Sequence, residues 1–152
     1  MTKDSRLEWH FLEDDRKLLY SDGRVAKVGE TLSSTGTPAV CSSGMHASAR
    51  IIDAMGYSDG PWICRVRVSG KLRDGVDKFC GQNRKVLWMK RITRSDLRRA
   101  MRELGWKRTA CSFGGPIASA SYQDLRYEFS HTKGAANWLR GWARENGCPE
   151  TR

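Results

Sequence analysis

The chain has 152 residues and a mass of 17.2 kDa, which suits one globular domain and is too short for two full-sized ones. Six Trp, four Tyr and four Phe supply enough apolar surface for a core, so the composition excludes a disordered protein. The net charge of +10 is concentrated in residues 62–108, which carry 15 basic and 4 acidic residues, while the segments before and after carry −2 and +1.

The first forty residues predict short strands joined by polar turns. Residues 18–28 are expected to form a hairpin, because Asp22-Gly23 suits a tight turn and the following residues alternate between apolar and polar side chains. A cluster of turn formers, residues 33–38, then precedes a short buried strand over residues 39–41.

A short helix and a strand follow. Apolar residues at helical spacing predict a helix over residues 47–55, with Ser48 as its start signal. Residues 62–69 alternate from Cys64 onwards, with three apolar side chains on one face and Arg65 and Arg67 on the other. This pattern predicts a half-buried strand with a basic outer face.

The next elements are a second strand and an amphipathic helix. Residues 71–84 contain Gly and polar residues and are expected to form a loop. An apolar run bounded by charges predicts a strand over residues 85–92. Apolar residues spaced by three and four predict a helix over residues 95–104, with Ser95 as its N-cap.

The last part of the chain predicts a loop, a strand and a helix. Residues 109–123 have no charged side chain and are rich in Ala, Ser and Gly, which favours a loop. A strand is expected over residues 122–129 and a helix over residues 132–146. Trp138 and Trp142 on that helix are expected in the core.

These elements indicate an α+β fold with a small, mainly antiparallel sheet, a short helix and two longer amphipathic helices. The strands do not alternate regularly with helices, which disfavours a doubly wound parallel sheet. We expect a single domain over residues 1–152, with a strand-rich part over residues 1–92 and a helix-containing part over residues 93–152.

Three features predict a cytoplasmic protein. Residues 1–6 lead into no apolar stretch of the kind that a secretory signal peptide needs. The longest stretch without charge, residues 31–49, is rich in Ser, Thr and Gly, so neither a membrane span nor a membrane partner is expected. The five cysteines are odd in number and include no C-x-x-C pair, which favours reduced thiols packed as small hydrophobes.

The order of features over residues 20–92 resembles an uncharacterised domain family of bacteriophages and prophages. The resemblance rests on Val28-Gly29-Glu30-Thr31, on the strand at residues 66–70, on Asp77-Lys78, and above all on the Cys-x-x-Gly-x-His-Ala motif of residues 41–47. It covers about half of the chain. It implies a phage setting, and therefore the host cytoplasm as the location.

Residues 44–48, with the helix and strand after them, are also similar to the second-strand region of ADP-ribosyltransferases. That resemblance implies NAD as a cofactor, His46 in the position of the usual aromatic residue, and Ser48 as the hydroxyl that helps to hold NAD. Glu128 is the candidate for the late catalytic glutamate, which this family carries on a strand. No first-strand His-Gly or Arg-Gly motif is found, since His10 precedes Phe11.

Cys41 and His46 permit a second kind of chemistry. An imidazole beside a thiol lowers the thiol pKa and accepts its proton, so the pair could act as nucleophile and base. The spacing also resembles that of metal ligands, but no set of four ligands can be assembled, and no metal is expected. The alternative is structural, with Cys41 ending a buried strand and His46 starting a helix.

The densest positive charge lies in residues 90–108, where eight Lys and Arg stand against two acidic residues. Arg94, Arg98 and Arg102 fall along one stripe of the predicted helix, and phosphates between them would relieve their repulsion. A solvated basic face or an acidic protein partner is the alternative. The predicted nucleic-acid-binding residues are Lys90, Arg91, Arg94, Arg98, Arg99, Arg102, Lys107 and Arg108, with Trp106 as a stacking platform and with Arg65 and Arg67 extending the surface.

The leading hypothesis is therefore a small basic, phage-associated protein that binds nucleic acid, or a host complex that contains it, through the basic helix. Two alternatives stay open. One is an ADP-ribosyltransferase-like enzyme that uses NAD, and the other is an inhibitor that blocks a host defence protein by protein contact. Under the leading hypothesis no cofactor is needed, and the sequence leaves the oligomeric state open.

Overall fold

In the part of the chain that the structure describes, the strands precede residue 92 and three of the four helices follow it. The computed structural model describes residues 5–18, 23–34, 45–105 and 120–149. In chain order the elements are β1 (Arg6–Leu12), β2 (Thr31–Ser33), β3 (Met45–Ala47), α1 (Ile51–Gly56), β4 (Trp62–Ser69), β5 (Arg73–Asp74), β6 (Phe79–Gly81), β7 (Asn83–Arg91), α2 (Arg94–Glu103), α3 (Tyr122–Ser130) and α4 (Ala135–Glu145).

The strands form two antiparallel sheets. The larger has the order β1-β4-β7-β2, and the smaller has the order β3-β6-β5. The predicted α+β class with a mainly antiparallel sheet is confirmed. The expected number of longer helices was wrong, because α2, α3 and α4 all have nine residues or more.

The larger sheet lies between the helices and the smaller sheet. On one face, Phe11 and Ile63 cluster with buried residues of all four helices. On the other face, Val66 and Val68 cluster with Phe79 and other side chains of the smaller sheet. Both faces of the larger sheet are therefore covered, and each side of β4 contributes to a separate apolar cluster.

The two central strands lie where the alternation predicted them. β4 has the predicted bounds, and β7 begins two residues before its predicted start. Cys64, Val66 and Val68 are fully buried, as expected for one face of the strand. Arg65 and Arg67 on the other face are half-buried rather than fully exposed, because the helices cover part of that face.

The first predicted hairpin is present as antiparallel pairing. The Leu18 N–H donates to the Arg24 carbonyl at 3.0 Å, and the Ala26 N–H donates to the Arg16 carbonyl at 2.9 Å. Its turn, and the strand predicted over residues 39–41, lie outside the described residues.

The loop predicted over residues 71–84 contains two strands, so that prediction was wrong. β5 and β6 form a hairpin, in which the Gly75 N–H donates to the Lys78 carbonyl at 2.8 Å. Gly81 ends β6 against the larger sheet, where an added Cβ would meet the Val68 side chain at 2.4 Å. These strands are too short to show alternation, and contacts with distant segments define them instead.

The strand predicted over residues 122–129 is the helix α3, and the prediction was wrong. The Ser121 side chain caps α3 by accepting a hydrogen bond from the Asp124 N–H at 3.1 Å. Leu125 and Phe129, four residues apart, are both fully buried on one face of the helix. The aromatic residues of this segment favour a strand locally, but the helical spacing of its buried side chains decides the structure.

Two helix starts differ from the predicted ones. α1 begins at Ile51, because Ser48 instead pairs with Trp9 through two backbone hydrogen bonds of 2.9 Å. α2 is capped by Thr93 and not by Ser95. The Thr93 side chain accepts from the Asp96 N–H at 3.1 Å, and the Asp96 carboxylate accepts from the Thr93 N–H at 2.9 Å.

The helix α4 starts three residues later than predicted, after Gly134, whose φ of +90° suits glycine. Trp142 is in the core, as expected. Trp138 is only partly buried, at the edge of the core. Its ring packs edge-on against Phe129, and its Nε1 donates to the Glu103 carboxylate at 2.8 Å. Of the cysteines within the described residues, Cys64, Cys80 and Cys148 are buried, as expected for thiols packed as small hydrophobes.

Candidate nucleic-acid interface

An open cleft of about 530 Å³ lies between the end of β7, the first turns of α2 and the end of α4. We call it the α2 cleft. Three of the residues predicted to bind nucleic acid, Lys90, Arg91 and Arg99, line it together with Trp62. The structure therefore gathers cations that are up to nine residues apart in sequence around one concavity.

The tight passage from β7 into α2 explains this arrangement. Ile92 is fully buried, and its N–H donates to the Pro61 carbonyl at 2.9 Å. Thr93 then caps the helix directly. Because only these two residues separate strand from helix, Lys90 and Arg91 lie beside the first turn of α2.

Trp62 supplies an aromatic surface that no local sequence pattern indicates. The Arg91 and Arg16 guanidinium groups lie over its ring at 5.9 and 5.3 Å from the centroid. Its Nε1 donates to the Asp14 carbonyl at 3.1 Å, and the Asp14 carboxylate pairs with Arg91. The indole and the Arg91 guanidinium are thus held in place, with part of the Arg91 charge compensated.

Arg99 has a different environment from the other arginines of α2. Its guanidinium lies 4.0 Å from the Glu103 carboxylate and 3.9 Å from that of Glu145, and 5.2 Å from the Trp138 ring centroid. These contacts hold Arg99 against α4. The two carboxylates therefore largely compensate the positive charge of Arg99.

Arg94, Arg98 and Arg102 form the stripe that the spacing predicted. Arg94 and Arg102 are exposed and Arg98 is half-buried, while Leu97 and Met101 are fully buried against the helical core. Within the described ranges, no ion pair involves Arg98 or Arg102. Uncompensated charge of α2 therefore lies on this stripe at Arg98 and Arg102.

Two further predicted residues, Arg65 and Arg67, do not line the α2 cleft. Arg65 lies on β4, with its guanidinium 4.3 Å from the centroid of the Trp9 ring. Arg67 is two residues further along the same strand. The residues predicted after α2, Trp106, Lys107 and Arg108, lie outside the described residues.

The residues of the enzymatic alternatives lie in different layers. His46 is in β3, so the expectation that it starts a helix was wrong, and its carbonyl accepts from Arg84 Nη1 at 2.8 Å. Ser48 is buried beside β1, and Glu128 is buried in α3 rather than on a strand. β3 packs against strands, whereas α3 packs against α2 and α4. Cys41 lies outside the described residues.

A group of titratable side chains lies between the two sheets. Burial lowers the pKa of Arg84 to about 10 and raises the pKa of Cys64 to about 12, so the first stays charged and the second stays a thiol at neutral pH. Burial, together with the charges of Arg84 and His46, holds the pKa of His10 well below its ordinary value. His10 is therefore neutral in the folded protein at neutral pH.

This environment of His10 predicts that the protein loses stability in mild acid. The unfolded chain binds a proton at His10 below pH of about 6.5, and the folded protein does not, so unfolding is favoured as pH falls. A single such proton changes the free energy of unfolding by up to about 1.4 kcal/mol per pH unit. The measurement is the free energy of unfolding from urea titration at pH 6.5 and at pH 5.0. We expect this free energy to fall more between the two pH values for the wild type than for His10→Gln. Equal losses in the two proteins would contradict this prediction.

Comparison of the chain with known protein families, curated proteins and solved structures finds no match. In the part of the chain that the structure describes, no helix is long and apolar enough to cross a membrane. In the same part, no three His, Cys, Asp or Glu side chains converge as a metal site requires. The features of the described residues that bear on function are the cations and the indole of the α2 cleft and the arginine stripe of α2.

Proposed function

We propose that the protein binds nucleic acid, or a host complex that contains it, through the α2 surface, which we define as Lys90 and Arg91 with the stripe Arg94, Arg98 and Arg102. One observation carries the proposal. Lys90 and Arg91 directly precede α2 in the chain, and the stripe runs along an outer side of that helix, whose buried side, with Leu97 and Met101, is fixed by the core. The surface thus combines concentrated positive charge with a fixed position on the fold.

The dimensions of the stripe suit a phosphate backbone. From Arg94 to Arg102 the helix rises about 12 Å, at about 1.5 Å per residue. One strand of B-DNA carries a phosphate about every 3.4 Å along the axis, so the stripe can neutralise about three phosphates. Binding of phosphates between these arginines also removes the repulsion between like charges four residues apart.

Trp62 gives the α2 surface a means to contact bases. Unpaired bases stack on indole rings and on guanidinium planes, and the cleft offers both in Trp62 and Arg91. Such stacking contributes about 1–3 kcal/mol per base and tolerates any sequence. We therefore favour single-stranded nucleic acid over duplex as the ligand of this cleft.

The proposed setting follows from the bacteriophage resemblance. A phage-associated protein of this kind acts in the host cytoplasm, where nucleic acid is abundant and a positively charged surface meets it readily. Arg99 is not included in the α2 surface, because Glu103 and Glu145 already pair with it. An acidic host protein is the competing partner.

The proposal predicts that replacing the stripe weakens nucleic-acid binding. In the triple variant Arg94→Gln, Arg98→Gln, Arg102→Gln, the plot of log affinity against log salt should become less steep by about 2 to 3, because about three fewer counterions are released. The measurement is fluorescence anisotropy of labelled single-stranded and duplex 20-mers of DNA and RNA, at several salt concentrations.

A charge-matched triple variant provides the control. Lys27→Gln, Lys71→Gln and Arg73→Gln remove the same charge from exposed positions away from α2. If the interface is local, this control keeps the wild-type salt dependence. If the nucleic acid is attracted only by the overall positive charge, both triple variants lose the same affinity. Equal losses, or no binding of the wild type to any 20-mer at low salt, would overturn the proposal, and the second result would favour an acidic protein partner.

A further inference from the structure

A second cleft, of about 260 Å³, lies on the other side of α4. Its walls come from β1, β4, the end of α4 and the residues that follow α4. Three guanidinium groups line it, from Arg65 on β4 and from Arg140 and Arg144 on α4. We call it the arginine cleft. No acidic side chain of the described residues lines it.

The position of the arginines follows from the geometry of α4. Arg140 and Arg144 are one turn apart and share a face of the helix. Trp142 and Asn146, which line the α2 cleft, lie on the opposite side. The helix therefore separates the two clefts, and its C-terminal half contributes to both.

The arginine cleft also has apolar walls. Leu7, Trp9 and Pro149 line it, and the Arg65 guanidinium lies 4.3 Å from the centroid of the Trp9 ring. This stacking fixes the plane of the Arg65 guanidinium. Burial lowers the pKa of Arg65, but an arginine stays protonated at neutral pH after such a shift.

Among the described residues, the C-terminal end of α4 and Glu8 are negative groups near this cleft. The C-terminal end of a helix carries a partial charge of about −0.5, but a Schellman motif satisfies the last carbonyls of α4. In that motif the Gly147 N–H donates to the Arg144 carbonyl at 3.1 Å, and the Cys148 N–H donates to the Ala143 carbonyl at 3.0 Å. Glu8 is near Arg65, but it precedes Trp9 on β1, so its side chain points to the other face of the sheet.

We infer that the arginine cleft binds a phosphate monoester. A monoester carries a charge of about −1.5 to −2 at neutral pH, and planar guanidinium groups bind its oxygens in pairs. The volume of about 260 Å³ is far more than a bare phosphate needs and is below the usual range of cofactor pockets, so a phosphate with a small organic group fits. The apolar walls would pack against that organic group. The ligand is a mononucleotide or the 5′-phosphorylated end of a strand, and it is bound whether or not the α2 surface binds nucleic acid.

The test uses the full chain and two pairs of probes in isothermal titration calorimetry. One pair is adenosine 5′-monophosphate and adenosine, and the other is a 12-mer with and without a 5′-phosphate. We expect the phosphorylated member of at least one pair to bind ten times more tightly than its partner. A preference in the first pair assigns a free mononucleotide, and a preference in the second pair alone assigns a strand end. Equal affinities in both pairs would overturn the inference.

Variants distinguish the arginine cleft from the α2 surface. Arg140→Gln with Arg144→Gln should reduce the affinity for the phosphorylated probe at least tenfold. The control Arg98→Gln with Arg102→Gln removes the same charge from the α2 surface and should leave the preference for the phosphorylated probe unchanged. The single variant Arg144→Gln, at an exposed position, serves if the double variant is unstable. An unchanged preference in the Arg140 and Arg144 variants would reject the site, even if the α2 surface binds nucleic acid as proposed.

Discussion

Replacing Gly60 by Ala should destabilise the protein by about 3 kcal/mol or more. Gly60 is buried against the end of β1, and an added Cβ would lie 1.9 Å from the Leu12 carbonyl oxygen and 2.4 Å from the Glu13 Cα. Both neighbours are backbone atoms, so no side-chain rotation can relieve the clash. The measurement is the free energy of unfolding from urea titration, followed by fluorescence and circular dichroism.

Gly56→Ala is the matched control for this experiment. Gly56 is the last residue of α1, its φ is not positive, and an added Cβ would meet nothing within 4 Å. Alanine also has the higher helix propensity, so we expect the control to be neutral or stabilised by less than about 1 kcal/mol. Similar unfolding curves for the two variants would show that the end of β1 does not pack against Gly60 as the structure describes.

The Gly60 contact also connects the fold with the α2 cleft. The residue after Glu13 is Asp14, whose carbonyl accepts the hydrogen bond from Trp62 Nε1 and whose carboxylate pairs with Arg91. A displaced end of β1 would therefore move the indole and the guanidinium of the cleft. We expect Gly60→Ala to weaken nucleic-acid binding in the folded fraction as well.

The parts of the fold that the sequence predicts correctly are those with a strong local pattern. The alternation over residues 62–69 specifies one buried face of β4, and the spacing of Leu97 and Met101 specifies the buried face of α2. Those side chains are fully buried in the structure. In such segments the periodicity of the sequence and the tertiary packing agree, so either one alone indicates the same element.

The elements that the sequence predicts incorrectly depend on partners far away in the chain. β6 has three residues and is held by β3, more than thirty residues earlier. Ser48 has the residue type of a helix cap, but its backbone pairs with Trp9. In α3 the aromatic side chains favour a strand, but Leu125 and Phe129 pack into the core from one face of a helix that Ser121 caps.

The candidate sites also divide into residues that a local sequence pattern predicts and residues that only the three-dimensional packing brings together. The local charge excess predicted the stripe on α2, because helical spacing alone places those arginines together. Arg140 and Arg144 have the same spacing, but the segment that contains them has a net charge of only +1, and this average hides the pair. Trp62 and Arg65 enter their clefts through pairing and packing in three dimensions, which no local pattern reports.

Replacing Arg126 by Met should destabilise the protein by about 3 kcal/mol. Arg126 is 4% exposed, and its Nη2 donates to the Met55 carbonyl at 2.8 Å and also to the Ser58 carbonyl. Its guanidinium lies 5.1 Å from the centroid of the Phe11 ring. The side chain thus joins α3 to the connection between α1 and β4. Methionine fills a similar length of the site but leaves both carbonyls without their donor.

Two further variants separate the hydrogen bonds from general effects of substitution. Arg126→Lys keeps the charge and one donor group, so we expect it to lose about half as much stability as Arg126→Met in urea unfolding. Arg102→Met, at an exposed position of α2, should change stability by less than about 1 kcal/mol. If Arg126→Met is as stable as the wild type, the cost of burying the guanidinium cancels its hydrogen bonds, and Arg126 does not hold α3 in place. Because α3 packs against α2, the predicted loss in Arg126→Met should also increase amide hydrogen exchange in both helices.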